Sequence, residues 1–301
     1  LEQAGPGSRH RMHVTTRADG VTVIDDAYNA NPDSMRAGLQ ALVTMARAGD
    51  TPRRTFAVLG EMAALGDEAV VDFSVQLFRS PLRCRRRMAI RAGENHIRLH
   101  EEMTNEAGES IDFMWGHHPA YGAPFLSGDT RIYTNAQTIW ADRGHDLPDG
   151  VLLPGAKAQW PHGEAKAGRT VDMSRVPGQD EPRNTLAYLM DFAGQPWYAL
   201  VNHQLGVGLG LAWSAEVFRY LWFWQEMYGS GGFPFYKRTY TMALEPWSSI
   251  PGQGLVNVMN STKSHLTLAA GASLSAELTV GLFAAKTGVK QFGLDGSLTL
   301  E

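Results

Sequence analysis

The chain of 301 residues holds a single cysteine, Cys84, which excludes an intramolecular disulfide framework and fits a reducing compartment. Long apolar runs are missing too: none is long enough to cross a bilayer, and the N-terminus lacks the apolar core of a signal peptide. A cytoplasmic location is therefore the expectation. Neither sign of charge is in marked excess, with 27 Lys and Arg against 31 Asp and Glu, a net charge of −4. Such a balance gives no general attraction for nucleic acid or for an anionic membrane, and neither is expected as a partner. What is present, 44% apolar and 19% charged residues, suits one large globular domain or two modest ones. Basic residues cluster only at Arg79, Arg83, Arg85, Arg86 and Arg87. That run reads as the solvated face of a strand, with phosphate binding as the lesser alternative.

Gly, Pro, Asn and Asp punctuate the chain. Residues 1–10, with Gly5-Pro6-Gly7-Ser8, read as a flexible lead-in. Residues 12–16 and 21–24 flank Asp19-Gly20, a turn signal that predicts a β-hairpin. Asn31-Pro32-Asp33-Ser34 opens a helix expected over residues 34–48. Asp33 or Ser34 can cap its free N–H groups, and Met35, Leu39, Leu42, Val43 and Met45 recur at helical spacing. Residues 55–59 then read as a short buried strand closing on Gly60.

After Val70 the texture changes. Residues 73–78, 88–90, 96–100 and 130–134 are short runs between polar turns, a pattern that predicts an antiparallel sandwich. Residues 141–182, rich in Gly, Pro and charge, are expected to form a long excursion with little regular structure. Within residues 218–227, Tyr220, Trp222 and Trp224 point one way and Leu221 and Phe223 the other. Both faces are apolar, which predicts a strand buried between two layers. Alternation returns in residues 266–268 and 274–282, around a turn at Gly271.

Two motifs carry chemistry. Asp25-Asp26-Ala27-Tyr28-Asn29-Ala30-Asn31 places polar side chains at a strand end leading into a helix N-terminus, where ligands collect on free N–H groups. Turns and caps account for the same residues without a ligand. The full string, with Ala57-Val58-Leu59-Gly60-Glu61-Met62 and Leu65-Gly66-Asp67-Glu68, resembles the start of the C-terminal domain of the Mur ligases. The resemblance is specifically to those that join D-alanyl-D-alanine to a UDP-N-acetylmuramoyl-tripeptide, over about residues 12–69. The resemblance implies a small α/β fragment in which Tyr28, Asn29 and Asn31 face an ATP cleft built mostly by another domain. However, no Gly-x-x-x-x-Gly-Lys-Ser/Thr loop occurs to hold ATP phosphates, and the family's UDP-sugar domain is absent. Val71-Asp72-Phe73-Ser74 also replaces the family's Glu-His helix. Ligase activity is not expected.

The second motif is Trp115-Gly116-His117-His118-Pro119, answered by Leu244-Glu245-Pro246-Trp247. Opening a cyclic hemiacetal needs a base for the anomeric hydroxyl and an acid for the ring oxygen, and His with Glu suits that exchange near neutral pH. Pro246 keeps Glu245 extended, and Trp247 offers an apolar face to a sugar ring. A hydrogen-bonded turn explains adjacent histidines equally well. Metal binding by His117, His118, His145 or His162 is disfavoured because neighbouring histidines on a turn point apart, so no metal and no cofactor are expected.

Residues of about 71–292 resemble the aldose 1-epimerase (galactose mutarotase-like) superfamily. Its further marks are Arg79-Ser80-Pro81-Leu82, Asn105-Glu106, Phe125-Leu126 and the strand from Gly206 to Leu211. The resemblance implies a sugar ligand, with His118 as catalytic acid, Glu245 as catalytic base, and His117, Trp247, Tyr236 and Trp222 binding substrate. The family's first third, with its early strands and an additional sugar-binding His and Arg, has no counterpart.

The expected architecture is mainly β: an antiparallel β-supersandwich over residues 71–301, incomplete at its N-terminal side, preceded by a small α/β fragment over residues 1–70. Each family is cut inside its own domain near Val70, unlike a natural fusion of whole cores, and the chain reads as a chimera. The alternatives are a sugar-binding module without turnover, a ligase fragment contributing peptide or nucleotide contacts in trans, and an inert fusion. Uncovered sheet edges are expected to drive homo-oligomerisation.

Overall fold

The computed structural model describes residues 13–18, 22–25, 38–44 and 67–301. The chain divides into two compact units, Leu1–Ala69 and Val70–Glu301. In the first unit, β1 (His13–Thr16) and β2 (Thr22–Asp25) pair antiparallel, with His13 opposite Asp25 and Thr16 opposite Thr22. A hairpin is expected here, but a two-residue turn at Asp19-Gly20 would set Thr16 opposite Val23, and the observed register is one residue shorter. Residues 38–44 are helical (α1), within the helix expected over residues 34–48. Tyr28, Asn29, Asn31 and the strand expected over residues 55–59 lie outside the described residues.

The second unit is an antiparallel sandwich. One sheet has seven strands: β3 (Glu68–Gln76), β4 (Leu82–Arg91), β5 (His96–Asn105), β8 (Thr130–Thr134), β14 (Trp197–Asn202), β15 (Val207–Trp213) and β19 (Ser273–Ala284). Their order is β3-β4-β5-β19-β15-β14-β8. The other has six: β7 (Ala120–Gly122), β9 (Thr138–Ala141), β10 (Lys157–Gln159), β13 (Arg183–Met190), β16 (Tyr220–Met227) and β17 (Tyr240–Trp247). These run in the order β10-β9-β13-β16-β17-β7. Three two-stranded sheets pair β6 (Ile111–Phe113) with the distant β18 (Leu266–Leu268), and, as hairpins, β11 (His162–Glu164) with β12 (Thr170–Asp172) and β20 (Val289–Phe292) with β21 (Leu298–Leu300). A short helix, α2 (Leu255–Asn260), precedes β18.

Strand alternation builds the core. Leu99, Leu278, Leu211, Trp213, Tyr198 and Leu200 from the larger sheet share one buried cluster with Leu189, Leu221, Phe223, Met242 and Leu244 from the smaller. Interdigitation of two inner faces is what holds such a sandwich together. The β20–β21 hairpin covers part of the larger sheet's other face, burying Val289 and Phe292 with Trp197, Ala199, Val201 and Phe283.

Of the arginine run, Arg83, Arg85, Arg86 and Arg87 lie on β4, as expected, but divide between its two faces, whereas Arg79 sits in the turn before it. Arg83 pairs with Glu106 at 2.5 Å and Arg87 with Asp72 at 3.3 Å, while Arg86 reaches the buried Glu101. Two expectations need correction. Residues 141–182 hold β10, β11 and β12, three strands of three residues each: β11 and β12 close a short hairpin, and β10 folds back onto β9. And β16 is buried fully on only one face: Leu221 and Phe223 are inaccessible, whereas Tyr220, Trp222 and Trp224 are half-buried. Alternation reveals two apolar faces without telling which of them is covered.

At its edge of the larger sheet, β3 leaves Phe73 and Val75 each 52% exposed, and Phe78 in the following turn is fully exposed. An edge strand with exposed apolar side chains is a template for pairing with another chain. We expect the protein to self-associate in light scattering, and the combined change Phe73→Thr, Val75→Thr, Phe78→Ser to lower the associated fraction. Association unchanged by that triple variant would move the contact to another surface.

Candidate functional site

Register across the smaller sheet sets the floor of the site. Lys157, Trp140, Tyr188, Trp222 and Glu245 are successive cross-strand partners on β10, β9, β13, β16 and β17. Directly opposed residues share a face, so these five side chains stand in one row on the face turned away from the core. Two positions along, Leu186, Trp224 and Ala243 form the next row, and beyond it Asn184, Glu226 and Thr241.

The segment Trp115 to His118 is fastened along the end of β17. The Trp115 N–H donates to Ser248 Oγ at 3.0 Å, the Ser248 N–H to the Trp115 carbonyl at 2.8 Å, and the His117 N–H to the Pro246 carbonyl at 2.9 Å. Consecutive side chains on an extended segment point to opposite sides, and the two histidines part accordingly. His117 Nε2 lies 2.8 Å from Glu101 Oε2, with its ring edge-on to Phe218. His118 Nδ1 lies 2.7 Å from Glu245 Oε2. Glu245 is almost wholly buried (5% exposed) while His118 is open to solvent (58%). Because a carboxylate only accepts, the shared proton is carried by Nδ1, which leaves Nε2 on the free side of the imidazole.

Glu245 Oε2 also accepts from Trp247 Nε1 at 2.9 Å. Trp247 stacks on Trp222 with ring centroids 4.3 Å apart and planes 13° from parallel, and Trp222 Nε1 donates to the Ser249 carbonyl at 2.8 Å. Each indole therefore commits one face to the other. Trp224 lies 6.0 Å from the His118 ring and 5.9 Å from Phe235. Tyr236, expected to bind substrate, stands on the β16–β17 loop and is 60% exposed; its neighbour Phe235 is the residue that reaches Trp224. The structure thus brings together His118, Glu245, Trp247 and Trp222, turns His117 toward Glu101, and leaves Tyr236 on the loop.

Trp247 can lie where it does only because residue 116 is glycine. A Cβ there would sit 2.1 Å from the Trp247 ring, far inside van der Waals contact. Gly116→Ala is expected to cost about 1–3 kcal/mol through overpacking and to shift tryptophan emission as Trp247 is displaced. An unchanged unfolding midpoint and spectrum would contradict this packing.

Other polar groups on this face carry no motif. The Tyr188 O–H donates to Asp142, which also accepts from Gln253 Nε2 at 2.8 Å, and the Gly252 N–H donates to the Tyr188 oxygen at 2.8 Å. Burial first, then Asp142, pushes the Tyr188 phenol well above its ordinary range, so it stays a donor. Asn184 donates to Glu226 and to Ser230 Oγ, and accepts from His145 Nε2. Glu101 is fully buried; burial drives its pKa up, yet the hydrogen bond from His117 and the charges of His117 and Arg86 bring it below the ordinary carboxylate value. Among the described residues, no group of three or more His, Cys, Asp or Glu side chains could hold a metal ion. No described helix is long and apolar enough to cross a membrane.

The antiparallel sandwich has a mutarotase-like fold. The likeness extends to an Escherichia coli K12 structure described as a candidate aldose 1-epimerase, with a TM-score of 0.50 and 17% identity. That match covers 72% of this chain and 66% of the other. A protein from Parabacteroides distasonis containing a TPR domain matches equally well, at a TM-score of 0.50 and 12% identity, over 72% of this chain and 33% of that one. These likenesses speak for the fold and leave the reaction open.

Residues 69–282 match the model of a domain of unknown function, DUF4432, and the chain belongs to that family. Residues 10–109 match the glutamate ligase domain of the Mur ligases. The UDP-N-acetylmuramoyl-tripeptide–D-alanyl-D-alanine ligase of Mycobacterium tuberculosis is 68% identical over 72 residues, covering 24% of this chain and 14% of the ligase. That of Mycobacterium leprae is 41% identical over 140 residues, covering 44% of this chain and 27% of the ligase. The chain thus spans between a seventh and about a quarter of those ligases. The Mur ligase match runs past Ala69, where the resemblance read from the sequence stops, into β3, β4 and β5 of the larger sheet.

Proposed function

We propose that this protein binds a small sugar on the open face of the six-stranded sheet and interconverts its anomers by acid–base catalysis. The observation that supports this most directly is the pairing of His118 with Glu245 at 2.7 Å beside the tryptophans Trp222, Trp224 and Trp247. In the proposed cycle Glu245 takes the proton of the anomeric hydroxyl as protonated His118 gives one to the ring oxygen. The bond from C1 to the ring oxygen breaks, the C1–C2 bond rotates, and closure onto the other face returns both protons. Proton loss and gain balance, so no cofactor is needed.

The two groups touch before substrate arrives, so a sugar must enter between them. His118, open to solvent, is the partner free to swing aside, while Glu245 is held by burial and by Trp247. Polarimetry with common aldoses tests the reading, and mutarotation no faster than in buffer would end it. That same direct contact favours a second reading, a sugar-binding module in which the pair never separates. Sugar binding without anomer exchange would support it. The match to Mur ligases supports a third, a ligase fragment, tested by ATP-dependent phosphate release with a UDP-muramoyl peptide.

A further inference from the structure

We propose that Glu101 and Arg86 are positioning residues: they clamp His117, and through the shared backbone they fix the orientation in which His118 meets Glu245. The inference rests on reading His118 and Glu245 as the site.

An imidazole as exposed as His118 is held from one side only, by Glu245 and Trp224, and an ordered side chain costs rotamer entropy unless something further restrains it. Its neighbour supplies the restraint. His117 is only 11% exposed, and it is held by the backbone bond to Pro246, by Glu101 Oε2 at 2.8 Å and by the Phe218 ring at 5.3 Å. Fixing His117 fixes the direction in which the next residue leaves the chain. Glu101 belongs to β5 of the larger sheet, whereas Glu245 belongs to β17 of the smaller. The clamp therefore ties the His117–His118 turn to both layers of the sandwich at once.

Arg86 stands directly across from Glu101 in the β4–β5 pairing and its guanidinium binds the carboxylate's other oxygen. The charged groups facing His117 are thus Glu101 and, behind it, Arg86; Cys84 lies near Glu101 as well. A fully buried carboxylate is expensive, and well-packed apolar residues would serve stability at least as well. What the ion pair adds is a defined place and proton position for His117, because a carboxylate requires the hydrogen on Nε2.

The test is nitrogen-resolved NMR of the histidine side chains on the full chain, which needs no turnover. In the wild type, His118 is expected to carry its proton on Nδ1 and His117 on Nε2. Glu101→Gln should let His117 carry its proton on either nitrogen, since an amide donates as well as accepts, and should release His118 into a mixture of tautomers. Arg86→Gln, at a side chain 41% exposed and therefore tolerant of change, should loosen Glu101 and partly release His118 into both tautomers. That second variant keeps the link testable if Glu101→Gln does not fold. A purely structural ion pair would lower the unfolding midpoint and leave the His118 tautomer alone. A His118 that keeps its proton on Nδ1 alone in folded Glu101→Gln, or in Arg86→Gln, would overturn the proposal. Where anomer exchange is measurable, Glu101→Gln should lower kcat by up to about 10²-fold through misplacement, with KM held. If the NMR shifts occur in a chain without anomer exchange, the clamp stands and the catalytic reading falls.

Discussion

His118→Ala and Glu245→Gln should each lower mutarotation by about 10²–10⁴-fold, the usual loss when one proton carrier is removed. Weak sugar binding should persist in both, because the contacts of Trp222, Trp224 and Trp247 remain. Glu245→Gln is the sharper of the two. Gln is close in shape and can still accept from Trp247 Nε1 and from His118 Nδ1, so the resting geometry should survive while the base is lost. His117→Ala should cost less, since its ring faces Glu101 and reaches the reacting atoms only by way of position. Polarimetry gives the rates, and calorimetric titration with the same aldose gives the binding. Equal anomer exchange by wild type and Glu245→Gln would end the catalytic reading and leave a binding protein or an inert fusion.

Much of this site is legible in the sequence because it rides on short motifs. His118 and Glu245 each lie beside a proline, on segments whose extended backbone is set locally, and two adjacent histidines on one such segment must part. The pairing of β1 with β2 is legible for the same reason, since a turn signal between two short alternating runs is local. Glu101, Arg86, Asp142 and Tyr188 carry no such sign. Glu101 meets His117 across 16 residues and Tyr188 meets Asp142 across 46, and strand register over those distances is decided by the packing of the whole sandwich. The short strands β10, β11 and β12 were hidden by their composition, because three-residue strands between Gly and Pro have no period to read.

The second large effect is expected on β16, where neighbouring aromatic residues should behave differently. Phe223 is inaccessible and packs between the sheets, with the Trp160 ring 6.2 Å away. Phe223→Ala removes a large buried side chain from a core that can collapse only partly, and should cost about 3–5 kcal/mol. That is enough to raise the unfolded population by roughly 10²–10³-fold or more. In urea the midpoint should fall with little change in slope, since the same surface is exposed on unfolding. Trp224, one residue on, faces the open side and touches His118 and Phe235. Trp224→Ala should cost stability only on the order of the lost ring contacts, about 0.5–1.5 kcal/mol, and should weaken sugar binding instead. The alternation of this strand would support a different outcome if both faces were packed. Equal destabilisation by the two variants would mean that a second layer covers Trp222 and Trp224, and the proposed sugar face would then be closed.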